Sequence, residues 1–176
     1  MSKEISRRSF LKTGTAAAVG LSMAPGMFAA PASKKKAAPA PMDRKLKILG
    51  VGIGGRGAAD LKEMETEEII GLCDVDTKYA AHVFERYPNA KRYTDYRKMY
   101  EELLDEADAV MVATSDHTHA IIAAEAIAAG KHVYCEKPLV HSIYEARLLT
   151  RLADKHHVST QMGNQGASEE GVRKTC

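Results

Sequence analysis

Gly52-Ile53-Gly54-Gly55-Arg56-Gly57 stands where the apolar run 46–51 ends and a helical pattern begins. Strand, glycine turn and helix in that order form the phosphate-binding opening of a β-α-β unit. Gly52 permits the tight turn, Gly54 lets the backbone approach a pyrophosphate, and Gly57 lets helix and strand pack closely. A helix starting near Arg56 aims its free N–H groups and positive dipole end at the phosphates. Gly52, Ile53, Gly54, Gly55, Arg56 and Gly57 are therefore candidate cofactor contacts. The frame Gly50-Val51-Gly52-Ile53-Gly54-Gly55 also fits the pattern, but the later frame leaves 46–51 intact as a strand. A purely structural glycine turn is the alternative, and Asp74 weighs against it. This acid lies twenty residues beyond Gly54, at the carboxyl end of the apolar run 69–73. A carboxylate there accepts hydrogen bonds from ribose hydroxyls and repels a 2′-phosphate, so the pair predicts a dinucleotide and favours NAD over NADP. Lys78 lies close enough to temper that preference, while Asp76 suits the N-cap of the next helix better than a ligand.

From Lys45 onward the pattern repeats. Strands are expected at 46–51, 69–73, around 92–93, and at 109–113, 132–135 and 158–162, with helices at 57–65, 78–86, 96–104, 117–129 and 143–157. The strands are continuous apolar runs, as in parallel sheets covered by helices on both faces. Short connections favour right-handed crossovers, giving an α/β fold with a doubly wound parallel sheet of about six strands. In the helix ending at Ala129, Ile121, Ile122, Ala126 and Ile127 supply the apolar positions and Gly130 the stop. Cys73 and Cys135 fall on strands about 14 Å apart in the usual order, too far for a disulfide. Both read as small core residues, and Cys176 has no inferable partner.

Ahead of this domain, residues 1–32 read as an export leader. Ser6-Arg7-Arg8-Ser9-Phe10-Leu11-Lys12 has the form of a twin-arginine signal, followed by an Ala/Gly-rich run too short and weakly apolar for a confident membrane span. Ala30-Pro31-Ala32 offers a cleavage site; an amphipathic N-terminus that is retained is the other reading. The expected localisation is periplasmic or otherwise exported, with the twin-arginine export machinery as a partner. Residues 33–44 form a Lys/Ala/Pro linker, in which Lys34-Lys35-Lys36 could touch an anionic surface. The net charge of +2 is carried by the leader, whose four basic and one acidic side chains, once set aside, leave 21 basic against 22 acidic. That balance gives no electrostatic reason to expect a nucleic-acid partner.

Two further loops follow strand ends, where doubly wound sheets bind ligands. In Thr114-Ser115-Asp116-His117-Thr118-His119, Thr114, Asp116 and His119 are candidate cofactor contacts, and Ser115 or Asp116 could also cap the following helix. His117 and His119 are two residues apart, not the four that put two ligands on one helix face, so no metal site is expected. The second loop is Glu136-Lys137-Pro138, after Gly130-Lys131-His132-Val133. Read from the residues alone, Lys137 is a surface lysine.

Together with the glycine turn, the Gly-Lys-His-Val and Glu-Lys-Pro segments resemble the glucose–fructose oxidoreductase/inositol dehydrogenase (Gfo/Idh/MocA) family over about residues 45–170. The resemblance implies NAD as cofactor, a carbohydrate or cyclitol substrate, and a place for Lys137 between nicotinamide and substrate as the catalytic proton-transfer residue. Glu136 would help position cofactor and lysine, and Pro138 would fix the turn, a cis bond being one way to do so. Relatives often have proline where this chain has Ser115, which relaxes that loop without removing Asp116 or His119. They also add a mixed α/β substrate domain, through which they associate into homo-oligomers. The expected organisation is thus a leader at 1–32, a linker at 33–44, a Rossmann NAD-binding domain at 45–165, and the start of a truncated second domain at 166–176. The implied reaction is hydride transfer at a sugar or cyclitol carbinol carbon when full length, this shortened chain being expected to be inactive. NAD-dependent glycoside cleavage through a keto-sugar, and an NAD-binding fragment without turnover, are the alternatives.

Overall fold

The computed structural model describes residues 43–168 and 170–175; the leader, most of the linker and Cys176 lie outside them. The described chain alternates strand and helix. The strands are β1 (Lys47–Val51), β2 (Glu68–Cys73), β3 (Lys91–Tyr93), β4 (Ala109–Val112), β5 (His132–Glu136) and β6 (Thr160–Gly163). The helices are α1 (Arg56–Glu63), α2 (Ala81–Arg86), α3 (Tyr96–Leu103), α4 (His119–Ala128), α5 (Ile143–His156) and α6 (Glu170–Thr175). The six strands form one parallel sheet in the order β3-β2-β1-β4-β5-β6, as the alternation predicts. The order reverses between β1 and β4, so a crevice opens at their carboxyl ends.

Helices cover both faces, which is why the strands read as unbroken apolar runs. Along β4, Val110 and Val112 join the core that includes Met99, Ile122 and Ile127, while Met111 between them joins Ile53, Leu61, Val83 and Phe84 on the other face. Cys73 and Cys135 are buried and unpaired, and burial pushes both thiols up to about 12, leaving them inert core residues.

Boundaries move where local hydrogen bonding intervenes. Asp76 Oδ1 accepts from the N–H groups of Lys78 (3.1 Å) and Tyr79 (2.9 Å), holding a turn that delays α2 to Ala81. At the end of α5, His157 takes a left-handed conformation (φ 55°), and Val158 N–H donates back to Ala153 O. The strand expected from residue 158 therefore begins at Thr160. Gly130, at φ 78°, ends α4 as expected. Ile121, expected in the apolar face of that helix, is 56% exposed instead. At the opposite, amino end of the sheet, Asp108 accepts from both terminal Arg44 guanidinium nitrogens, Nη1 and Nη2 (2.6 and 2.7 Å), and from Lys47 N–H (2.8 Å). Those bonds hold the Asp108 carboxyl down at about 2.

Candidate functional site

The site begins at the glycine turn. Gly52 sits at φ 78°, and a Cβ there would come within 2.6 Å of Thr114 N and 2.7 Å of the Ala113 carbonyl. A Cβ on Gly57 would strike the Gly52 carbonyl oxygen. Gly50, by contrast, is an ordinary member of β1 paired with Leu72 and Met111. The geometric demands for glycine thus fall on the frame beginning at Gly52. Ile53 is fully buried in the core, so only its backbone is available to a ligand, whereas Gly55 and Arg56 are exposed at the start of α1.

Asp74 closes this turn from β2. Its Oδ2 accepts from Gly54 N–H at 2.8 Å and its Oδ1 from Asp76 N–H at 3.0 Å. Each carboxylate oxygen keeps a further lone pair for a ligand hydroxyl. A cavity of about 720 Å³ opens here, with Gly52, Gly55, Asp74, Thr114, Ser115 and Thr118 in its wall. Tyr79, Arg97 and Ile121 are among the side chains in that wall that no sequence pattern marks as contacts. The Tyr79 ring lies over Gly54, where a Cβ would meet its Cδ1 at 2.5 Å. Arg97 is bound by Asp95 (3.1 Å), so the cation nearest this wall already has a carboxylate partner. Ile121 lines the mouth because it follows the loop after β4; an apolar residue flanked by buried neighbours gave no signal of that.

The loop after β4 is held differently from the expectation. Neither Ser115 nor Asp116 caps α4 with its side chain. A short 3₁₀ turn, Asp116–Thr118, precedes the helix; Thr118 Oγ1 donates to the Ser115 carbonyl (2.7 Å), which leaves it to accept from Thr114 Oγ1 at 2.7 Å. Asp116 is exposed on this turn. His119 is almost fully buried, with Nδ1 2.7 Å from the Pro138 carbonyl oxygen and Nε2 3.0 Å from that of Thr114. A neutral ring donates to one of these oxygens and a protonated ring to both. With a proton on Nδ1, His119 ties the loop after β4 to the Pro138 carbonyl of the loop after β5.

That second loop carries Glu136, Lys137 and Pro138. The Lys137–Pro138 bond is cis, and Lys137 is exposed. Glu136 is buried, and its Oε2 accepts from Lys137 N–H at 3.3 Å. Its Oε1 receives Gln165 Nε2, faces Tyr134 Oη at 3.4 Å, and lies 3.5 Å from Arg56 Nε. Arg56 also reaches Asp60 Oδ1 at 3.1 Å. The first residue of α1 thus links the glycine turn to the end of β5. Of the expected residues, the structure joins Gly54 to Asp74, Arg56 to Glu136, and Thr114 to Pro138 through His119. Lys137 lies outside the cavity wall beside Asp74.

These residues suit a dinucleotide. The cradle is closed to side chains at Gly52 and Gly57, a helix N-terminus follows it, and an acid stands at the end of β2. Comparison with known proteins agrees. Residues 44–164 match the Gfo/Idh/MocA oxidoreductases, described as an oxidoreductase family with an NAD-binding Rossmann fold. Residues 4–24 match the twin-arginine translocation signal, which implies export. A glycosyl hydrolase family 109 protein of Shewanella pealeana is 27% identical over 90% of this chain and 39% of its own length. Inositol 2-dehydrogenase of Salmonella typhimurium is 32% identical over 51% of this chain and 27% of its own. Among solved structures, GenD2 from gentamicin A biosynthesis, in complex with NAD, is 30% identical with a TM-score of 0.63, over 70% of this chain and 35% of its own. The chain spans at most about two fifths of the length of these relatives. It belongs to the NAD-binding Gfo/Idh/MocA oxidoreductase family.

Proposed function

We propose, with that membership as the premise, that the whole protein transfers a hydride reversibly between NAD and a carbinol carbon of a sugar or cyclitol, with Lys137 moving the accompanying proton. The observation that carries this reading is the tie through His119, which sets the Glu136-Lys137-Pro138 loop beside the loop that borders the cofactor crevice. The Gly54 and Gly55 backbone and the start of α1 would hold the pyrophosphate, Asp74 the adenosine ribose, and Thr114 with the Asp116 turn the far wall. Glu136, Lys137 and Pro138 would border the nicotinamide end. NAD, when bound, supplies the hydride acceptor. Lys137 is exposed on a turn with its backbone anchored to Glu136, so its side-chain nitrogen can reach a substrate hydroxyl. As the neutral amine it takes the hydroxyl proton while the C–H bond breaks, and as the resulting ammonium it returns that proton in the reverse direction.

A second reading draws on the family 109 glycosyl hydrolase, which matches 90% of this chain. There the same oxidation is transient: a keto-sugar forms, the glycosidic bond is eliminated, and the hydride returns. Purified whole protein separates the two. A keto product formed with stoichiometric NADH supports the dehydrogenase, whereas release of an aglycone without net NADH overturns it in favour of glycoside cleavage. In either case Lys137→Ala should lower kcat about 10²–10⁴-fold with NAD affinity retained. A variant with unchanged kcat would remove Lys137 from the mechanism.

A further inference from the structure

Glu136 has a buried neighbour that the reaction above does not use. Asp60, on α1, is 4% exposed, as is Glu136 on β5. One cation serves both, since Arg56 Nε lies 3.1 Å from Asp60 Oδ1 and 3.5 Å from Glu136 Oε1. Glu136 has further donors in Tyr134 Oη and Gln165 Nε2, but Asp60 Oδ2 is buried without a hydrogen-bond partner among the described residues. Two ionised carboxylates would leave a net negative charge in this interior and an anionic oxygen with no donor. One bound proton makes the triad with Arg56 neutral. The close fit leaves little room to relax: a Cβ on Gly163 would strike Glu136 Oε1 and come within 2.7 Å of Tyr134 Oη.

We propose that Asp60 is a positioning residue for Glu136: with one proton shared between the two carboxyls, Asp60 holds Glu136 against Arg56, and the setting of the neighbouring Lys137 depends on that proton. This rests on the reading that Lys137 works beside NAD. The groups facing Asp60 are Arg56 on its own helix and Glu136 and Tyr134 on β5. Burial first, and then the charge of Glu136, raise Asp60 to about 6 against the opposing pull of Arg56. The folded chain keeps a proton that the unfolded chain releases from about pH 4, so stability falls as pH rises from about 4 to about 6 and then levels.

The test is thermal unfolding of the whole chain, with and without NAD, across that window, for the parent, Asp60→Asn and Lys137→Ala. Asparagine keeps a donor toward Glu136 and cannot titrate. The Asp60→Asn melting temperature, measured against the parent, should therefore rise steadily from about pH 4 to above 6, and an infrared band of a protonated carboxyl present in the parent near pH 5 should weaken. Parallel parent and Asp60→Asn curves would overturn the proposal. Should Asp60→Asn fail to fold, Glu136→Gln serves instead: it removes the competing charge, and the stability change should move to lower pH, an unmoved change being contradictory. Lys137→Ala should keep the parent's pH dependence. If it also keeps full kcat, the catalytic reading falls while the shared proton stands; if only the pH dependence is missing, the reverse holds.

Discussion

Two acids end two strands of this sheet and are held in opposite ways. Asp74, after β2, is half-buried, and both its oxygens are engaged by backbone N–H groups within two residues of itself or of the glycine turn. Glu136, closing β5, is buried and held by side chains from α1, β5 and the turn after β6. The first arrangement leaves lone pairs facing an open cavity, which suits binding. The second fixes a charge inside the protein beside an exposed lysine, which suits positioning. On the proposed reading, a cofactor spanning the crevice would meet a preformed acceptor at one end and, at the other, the lysine proposed to transfer the proton.

Glycine substitutions break the two ends unequally. Gly52→Ala adds strain at φ 78° and a Cβ against backbone that cannot step aside, so it should cost about 3 kcal/mol in urea unfolding and abolish measurable NAD binding. Gly163→Ala meets only side chains, Glu136 and Tyr134, and should cost about 1–2 kcal/mol. Equal losses would mean that the Glu136 end is as rigid as the glycine turn. The smallest effect belongs to Asp108→Ala at the amino end of the sheet, which sharpens the comparison as a control. Loss of its contacts with the half-exposed Arg44 should cost about 1 kcal/mol near neutral pH and leave NAD affinity unchanged. Because the folded carboxyl sits at about 2, below its unfolded value, this contribution is present above about pH 4 and lost as pH falls to about 2. A urea titration at two pH values checks both.

The difference between the acids also explains what could be read from sequence. Asp74 announces itself because its partners are local and its spacing from Gly54 is fixed by one β-α-β unit. The strand order follows from the same alternation. Asp60 carries no such signal: on α1 it reads as an exposed helix acid until α1 is set against β5. Tyr79 is hidden for a similar reason, since only the turn held by Asp76 brings its ring over Gly54. The cap expected from Ser115 or Asp116 is absent because Thr118 supplies the hydroxyl that organises the loop. His119 is an expected cofactor contact; its burial and its two carbonyl neighbours become visible only once the β4 and β5 loops are placed side by side.

Calorimetric titration of NAD and NADP into the chain and its Asp74→Ala variant tests the central claim most directly, that Gly54 and Asp74 form the acceptor end of an NAD site. The parent should bind NAD more tightly than NADP, and Asp74→Ala should weaken NAD by about tenfold or more while narrowing the difference from NADP. An unchanged NAD affinity with an unchanged preference would contradict it.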